Sequence, residues 1–367
     1  MRKILLAIMI LVTISSESFA MSLREKVGQL FVIRPDQLDT TLSLEDINDT
    51  KTIGVKTLST VMQETLRQYP AGGFAIYGKN ISGPKQLKKF TRDLRNACEV
   101  VPIIAIDEEG GRVARIANSK GFNVRKYKSI EAIGATGDST RAYDAASTIG
   151  KYISDYGFNM DFAPVADINT NPQNIIIGNR AFGSDPQLVS EMVSAYLDGL
   201  HSQGIIGSIK HFPGHGDTHD DTHTGYVAVY KTWDELLKAE LIPFIENFDK
   251  ADTVMLAHIT MKNVTSDDLP ATLSKTLVTD KLRDELGYKG IIITDSLCME
   301  AIHDHYSSGE AAVLAFEAGC DILLRPYDYR EAFDAVLNAV KSGRISQKRL
   351  DESVTRILNL KNGEIKR

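Results

Sequence analysis

Eight short apolar runs, each followed by a polar break and then a helical pattern, constrain this chain more than any other feature. They lie at 29–33 (QLFVI), 73–77 (GFAIY), 101–106 (VPIIAI), 158–163 (FNMDFA), 205–209 (IIGSI), 253–257 (TVMLA), 291–295 (IIITD) and 321–325 (DILLR). Nearly continuous apolar strands of this length suit a parallel sheet covered on both faces. Strand alternating with helix, with eight strands in all, predicts an α/β fold: a single (β/α)8 barrel of the TIM type. A doubly wound open sheet is the alternative. It would bind a nucleotide, yet no G-x-G-x-x-G or P-loop pattern follows any of the runs.

The intervening helices have readable ends. Asp185 before Pro186 reads as an N-cap and first-turn proline, and Leu188, Met192, Ala195 and Leu200 mark an apolar stripe closing at Gly204. Ser139 precedes a helical stretch ending near Gly157. A last helix, near 346–360, sets Leu350, Val354, Ile357 and Leu358 on one face.

Composition excludes some functions. A formal net charge of −6 over 367 residues argues against a nucleic-acid or anionic-membrane surface, either of which calls for a basic face. Cys98, Cys298 and Cys320 are odd in number and widely spaced, so they form neither a disulfide framework nor a zinc pattern. They read as small buried hydrophobes.

The first twenty residues form a separate unit. Arg2 and Lys3 precede the apolar run 4–14, and Ser18-Phe19-Ala20 places small residues at −3 and −1 of a cleavage site. This matches a secretory signal peptide removed after Ala20, leaving 21–367 as one domain exported to the periplasm or medium. The run is too short for a comfortable membrane span. The alternative is a cytoplasmic protein starting at Met21.

A barrel carries its chemistry where strand C-termini meet the loops that follow. Those positions are polar here: Asp107-Glu108-Glu109, Asp161 and Asp167, Lys210-His211, His258, and Asp295-Ser296. The stretch KHFPGHGDTHDDTH (210–223) holds four of the eight histidines and three aspartates. His211, His215, Asp217, His219 and His223 offer metal-ligand chemistry. However, Pro213 and two glycines make the segment a loop, without a helical i, i+4 pair. His215 and Asp217 are expected to brace it, and His219 and Asp220 to be exposed.

IDEEGGRVAR (106–115), NRAFG (179–183), KHFPGHGDT (210–218) with DTH (221–223), and IITDSLCME (292–300) resemble glycoside hydrolase family 3, closest to its bacterial β-N-acetylglucosaminidase branch. The resemblance runs from about Leu23 to Leu360. It implies that Asp295 is the catalytic nucleophile and that His223 with Asp221 forms the acid/base pair. It also implies that Asp107, Arg115, Arg180, Lys210 and His211 bind the sugar, and that no cofactor or metal is needed. Imidazole suits an acid/base role, with an ordinary pKa of about 6.5, and a neighbouring aspartate would favour its protonated form. Arg112 is expected to be structural, and Gly110, Gly111, Gly214 and Gly216 to serve turns. Larger members take their acid/base residue from a second domain. This sequence runs about forty residues past its last strand, so the 210–223 loop is the expected donor.

The implied activity is retaining hydrolysis of terminal β-linked N-acetylglucosamine from peptidoglycan fragments or chitin-type oligosaccharides, by an expected monomer with a carbohydrate as its one partner. A phosphorylase is one alternative, since a histidine carries no fixed negative charge to repel phosphate, and a broader β-glucosidase activity stands beside it. A non-catalytic glycan-binding barrel is another, which the trio Asp295, Asp221 and His223 argues against. Ser296 directly after the nucleophile departs from some relatives.

Overall fold

The computed structural model describes residues 21–49, 54–218 and 227–363. The signal-peptide reading (1–20) and the acid/base pair Asp221 and His223 fall outside the described residues.

All eight apolar runs form strands: β1 Phe31–Ile33, β2 Gly73–Ile76, β3 Ile103–Ile106, β4 Met160–Asp161, β5 Ile206–Phe212, β7 Thr253–Leu256, β9 Ile291–Thr294 and β10 Leu323–Leu324. They make one eight-stranded sheet in the order β10-β1-β2-β3-β4-β5-β7-β9. Its neighbours pair in parallel, as in Phe31↔Leu323, Gly73↔Ile103 and Thr253↔Ile291. The ends meet through a parallel bridge between Ile293 and Ile322, which closes the ring. Every residue of β1, β2, β3, β5, β7 and β9 is buried. This explains why these runs lack the polar alternation of a half-exposed strand.

The covering helices begin at side-chain caps. Asp185 accepts from Leu188 N and opens helix Pro186–His201, whose inner face carries Val189, Met192, Val193, Tyr196, Leu197 and Leu200. Each such side chain contributes roughly 1.5–3 kcal/mol on burial. The helix predicted from Ser139 spans Ser139–Asp155, but its N-cap is Asp138, one residue earlier. The last helix, Gln347–Lys361, is capped by Ser346. Among the described residues no helix is long and apolar enough to cross a membrane.

Two strands were not anticipated. β6 (Val227–Val229) and β8 (Ile259–Met261) form a separate parallel ribbon. β6 follows directly on the 219–226 segment, and β8 follows directly on His258 at the end of β7.

Candidate active site at the C-terminal rim

The loop after β3 is fastened from beneath. Glu108 turns inward and accepts from Ile116 N, Ala117 N and Tyr152 Oη, each at 2.8 Å. Burial raises its carboxyl despite these donors. Its own N–H donates to Asp161 Oδ1 at 2.9 Å, and burial pushes the Asp161 carboxyl well up towards the neutral acid. This inward staple leaves the flanking residues, Asp107 and Glu109, to face the barrel mouth.

A chain of alternating charges runs across that mouth. Arg115 Nη2 donates to Asp107 Oδ2 at 2.9 Å, and Lys210 Nζ reaches Asp107 Oδ1 at 3.0 Å and Glu109 Oε1 at 2.6 Å. Arg180 grips Glu109 with Nε at 2.9 Å and Nη2 at 2.6 Å. Burial would raise the Asp107 carboxyl, but Lys210 and Arg115 outweigh it and hold the group below the usual carboxylate range. Glu109 is likewise held down at about 2, by Lys210 and Arg180 against burial. Burial alone would lower Lys210, yet Glu109 and Asp107 raise it. The Lys210 side chain is 2% exposed, so it is a fixed buried charge. Removing one partner from such a set strands the others, which is more damaging than the pair's net contribution.

Asp167 organises the histidines. It accepts from His211 Nδ1 at 2.7 Å and from His215 N at 2.7 Å. Burial would raise it, but His211 and His215 hold it low. With Nδ1 committed to Asp167, His211 Nε2 faces Arg180 Nη2 at 3.4 Å. His215 Nδ1 meets Thr218 Oγ1 at 2.9 Å, and Asp217 lies near Thr170 and Lys231, so both brace the loop as expected. Gly216 has a packing reason: a Cβ there would stand 1.6 Å from the Ile168 carbonyl oxygen. Arg112 donates to the carbonyls of Ile175, Ile176 and Ile177, a structural clamp on the neighbouring loop.

Asp295 stands just past β9. Its N–H donates to Leu256 O at 3.1 Å, and its Oδ1 accepts from Ser296 N at 2.7 Å. No described side chain donates to Oδ2. His258 supports this turn, with Nε2 3.0 Å from Ser296 O and Nδ1 2.7 Å from Thr272 Oγ1. A carbonyl only accepts, so the ring proton sits on Nε2, and burial lowers the His258 pKa in favour of that neutral ring.

The structure therefore brings Asp107, Arg115, Arg180, Lys210, His211 and Asp295 to one end of the barrel. Glu109, Asp167 and His258 were visible in the sequence only as polar residues after strands. Their positioning roles appear when the pairs Glu109–Arg180, Asp167–His211 and His258–Ser296 form. Arg34, Tyr77 and Arg325 also stand at strand ends, and the sequence reading did not single them out. Among the described residues no group of three or more His, Cys, Asp or Glu is placed to hold a metal ion.

A closed parallel barrel with a strand-end carboxylate and a buried lattice of alternating charges at its C-terminal rim defines a TIM-type barrel with a polar site at its mouth. The chain belongs to glycoside hydrolase family 3: the family model described as "Glycosyl hydrolase family 3 N terminal domain" matches residues 22–360. It is 33% identical over 331 residues to a beta-hexosaminidase A of Pseudoalteromonas piscicida, covering 83% of this chain and 55% of the relative. A beta-hexosaminidase of Tolumonas auensis is 34% identical over 269 residues, covering 71% of this chain and 77% of the relative. The solved family 3 beta-N-acetylglucosaminidase of a Paenibacillus species superposes with a TM-score of 0.83 at 36% identity, over 94% of this chain and 63% of that one. The chain thus spans little more than half the length of the first of these relatives.

Proposed function

We propose that this protein is a retaining glycosidase that releases terminal β-linked N-acetylglucosamine. The observation that carries the reading is Asp295: a carboxylate at a strand end, with Oδ1 fixed by Ser296 N and Oδ2 left for chemistry. It shares the rim with Asp107, Lys210 and His211. The names of the relatives, beta-hexosaminidase and beta-N-acetylglucosaminidase, support the same sugar. Peptidoglycan fragments and chitin-type oligosaccharides are the proposed natural sources.

In this mechanism Asp107 accepts from sugar hydroxyls while Lys210 and Arg115 hold it ionised, and His211 fixes the ring from the β5 side. Arg180, already bound twice to Glu109, orients the lattice. Asp295 attacks the anomeric carbon as His223, favoured as acid by Asp221, protonates the departing oxygen. A water then cleaves the glycosyl ester, giving its proton to His223. A 2-fluoro or 5-fluoro glycosyl substrate would leave its mass on the peptide containing Asp295. Turnover by attack of the sugar's own 2-acetamido oxygen would leave none and would refute the nucleophile. Export is proposed from the 1–20 segment, with Met21 as the N-terminal residue of protein recovered from the cell envelope or medium.

A further inference from the structure

A second cationic cluster lies beside the sugar site and takes no part in the mechanism above. It is built from three successive strand ends. Arg34 follows β1, Tyr77 follows β2, and Arg325 follows β10, where its N–H donates to Val32 O at 2.8 Å. The Tyr77 ring is a common platform: the guanidinium of Arg325 lies 4.7 Å from its centroid, and those of Arg34 and Arg115 each lie 5.8 Å away. Arg115 is the residue that holds Asp107, so the cluster is continuous with the sugar site. Cys298, three residues past Asp295, lies near both Arg34 and Arg325.

The charges here do not balance. Arg34 is 1% exposed and Arg325 8% exposed. Arg34 Nε is 3.2 Å from Asp36 Oδ2, and Lys79 Nζ is 3.8 Å from Asp36 Oδ1, so one carboxylate serves two cations. Asp36 is also occupied by Val55 N and Asn80 Nδ2. Among the described residues Arg325 has no carboxylate within ion-pair distance. Two of the buried guanidinium nitrogens, Arg34 Nη2 and Arg325 Nε, have no hydrogen-bond acceptor among the described residues, and Arg34 Nε has only the off-line carboxylate of Asp36. Burial, and then mutual repulsion with Arg325, depress the Arg34 pKa. Burial raises that of Tyr77, so the phenol stays neutral and answers Arg325 with a hydrogen bond but no charge. Arg325 is held at φ 44°, a strained conformation for a residue with a side chain. Buried polar groups without partners are rare in folded proteins and are a liability unless something answers them.

We propose that Arg34 and Arg325 form an oxyanion subsite contiguous with the sugar pocket, so that the preferred substrate is an amino sugar carrying a carboxylate, sulfate or phosphate substituent. The planar guanidinium fork matches each of these groups. The proposal rests on the N-acetylglucosaminidase reading and narrows its substrate class.

The test is calorimetric binding of N-acetylglucosamine and of its 3-O-lactyl, 6-sulfo and 6-phospho derivatives to the full chain. At least one acidic derivative should bind about tenfold or more tightly than the neutral sugar, with the preference falling as salt is raised. Arg325→Gln should bring the acidic-to-neutral ratio close to one, and Arg325→Lys should restore it in part. Which derivative wins identifies the substituent. The wild-type ratio and its salt dependence stand even if a variant fails to fold. Equal binding of all four sugars would overturn the subsite. So would inorganic phosphate binding at Arg325 and serving as glycosyl acceptor, because the cluster would then be a site for free phosphate. Hydrolysis of a neutral aryl N-acetyl-β-glucosaminide, measured alongside, separates the two layers. If that hydrolysis is present and the acidic preference absent, the subsite alone fails; if it is absent, the underlying activity fails.

Discussion

Two aspartates at opposite ends of the barrel, Asp321 and Asp107, show how one residue type can be saturated in one place and left open in the other. Asp321, at the N-terminal entrance to β10, is fully buried and saturated. Its Oδ1 accepts from Ser353 Oγ at 2.5 Å and Arg356 Nη1 at 2.7 Å, with Arg349 3.6 Å away. Its Oδ2 accepts from Arg283 Nη2 at 2.8 Å and Ile292 N at 3.1 Å. The arginines are tied down in turn, Arg283 to the carbonyls of Tyr288 and Gly290 and Arg349 to that of Cys320. Asp107, at the opposite end, holds two cations but keeps 18% of its side chain exposed at the barrel mouth. Asp295, at the same rim, has a single backbone donor. Saturation marks the structural end, and unspent acceptor capacity marks the functional one.

The contrast can be broken by substitution, most sharply at Asp295. Asp295→Asn should lower kcat by roughly ten-thousandfold or more, as loss of a covalent nucleophile does. Its melting temperature should stay within about 2 °C of wild type, since Asn keeps the bond to Ser296 N. Near-normal turnover would remove Asp295 from the mechanism. Asp321→Asn should do the reverse. Weakening a buried carboxylate that answers three arginines costs about 3–5 kcal/mol, read by denaturant unfolding, while the folded fraction keeps its kcat. An activity loss without a stability loss there would mean that the two ends are not divided as argued.

A smaller effect follows from acid. Glu109 titrates lower in the folded protein than in the unfolded chain, so its contribution is fully present above the ordinary glutamate pKa of about 4.3. That contribution should fade as pH falls from there towards about 2, the value at which Lys210 and Arg180 hold the group against burial. Chemical unfolding across this interval should show stability falling with pH, and a flat profile would argue against the ion lattice. The smallest effect sharpens the comparison, because it concerns a structural residue at the functional end. Asp185→Ala removes the cap of helix Pro186–His201 and should cost about 1 kcal/mol with kcat unchanged.

Much of this division was legible in the sequence, for reasons that differ by element. The eight strands were readable because a sheet covered on both faces leaves an unbroken apolar run. β6 and β8 were not, because VAV and ITM are too short to stand apart from apolar loop residues. Asp138 and Ser139 are both good cap formers, which is why the helix start was misplaced by one residue. Asp107, Lys210 and Asp295 stood out as charges at the ends of apolar runs. The partnership of Glu109 with Arg180, 71 residues apart, exists only once β3 and the loop after β4 share a rim. Arg34 and Arg325 were hidden by position. Arg34 directly follows one apolar run and Arg325 ends another, and nothing local distinguishes a strand-end arginine that pairs from one that does not.

The β6–β8 ribbon has a consequence for where the general acid can be. Val227 is in register with Ile259, the residue after His258, whose ring reaches the Ser296 carbonyl beside Asp295. His223 is four residues before Val227 and five after Thr218, which is itself held by Asn171 and Asn174. Whatever path the chain takes, four residues span at most about 14 Å. The ribbon therefore ties the proposed acid, through only four residues of chain, to the strand that follows His258 and so to the turn carrying the proposed nucleophile.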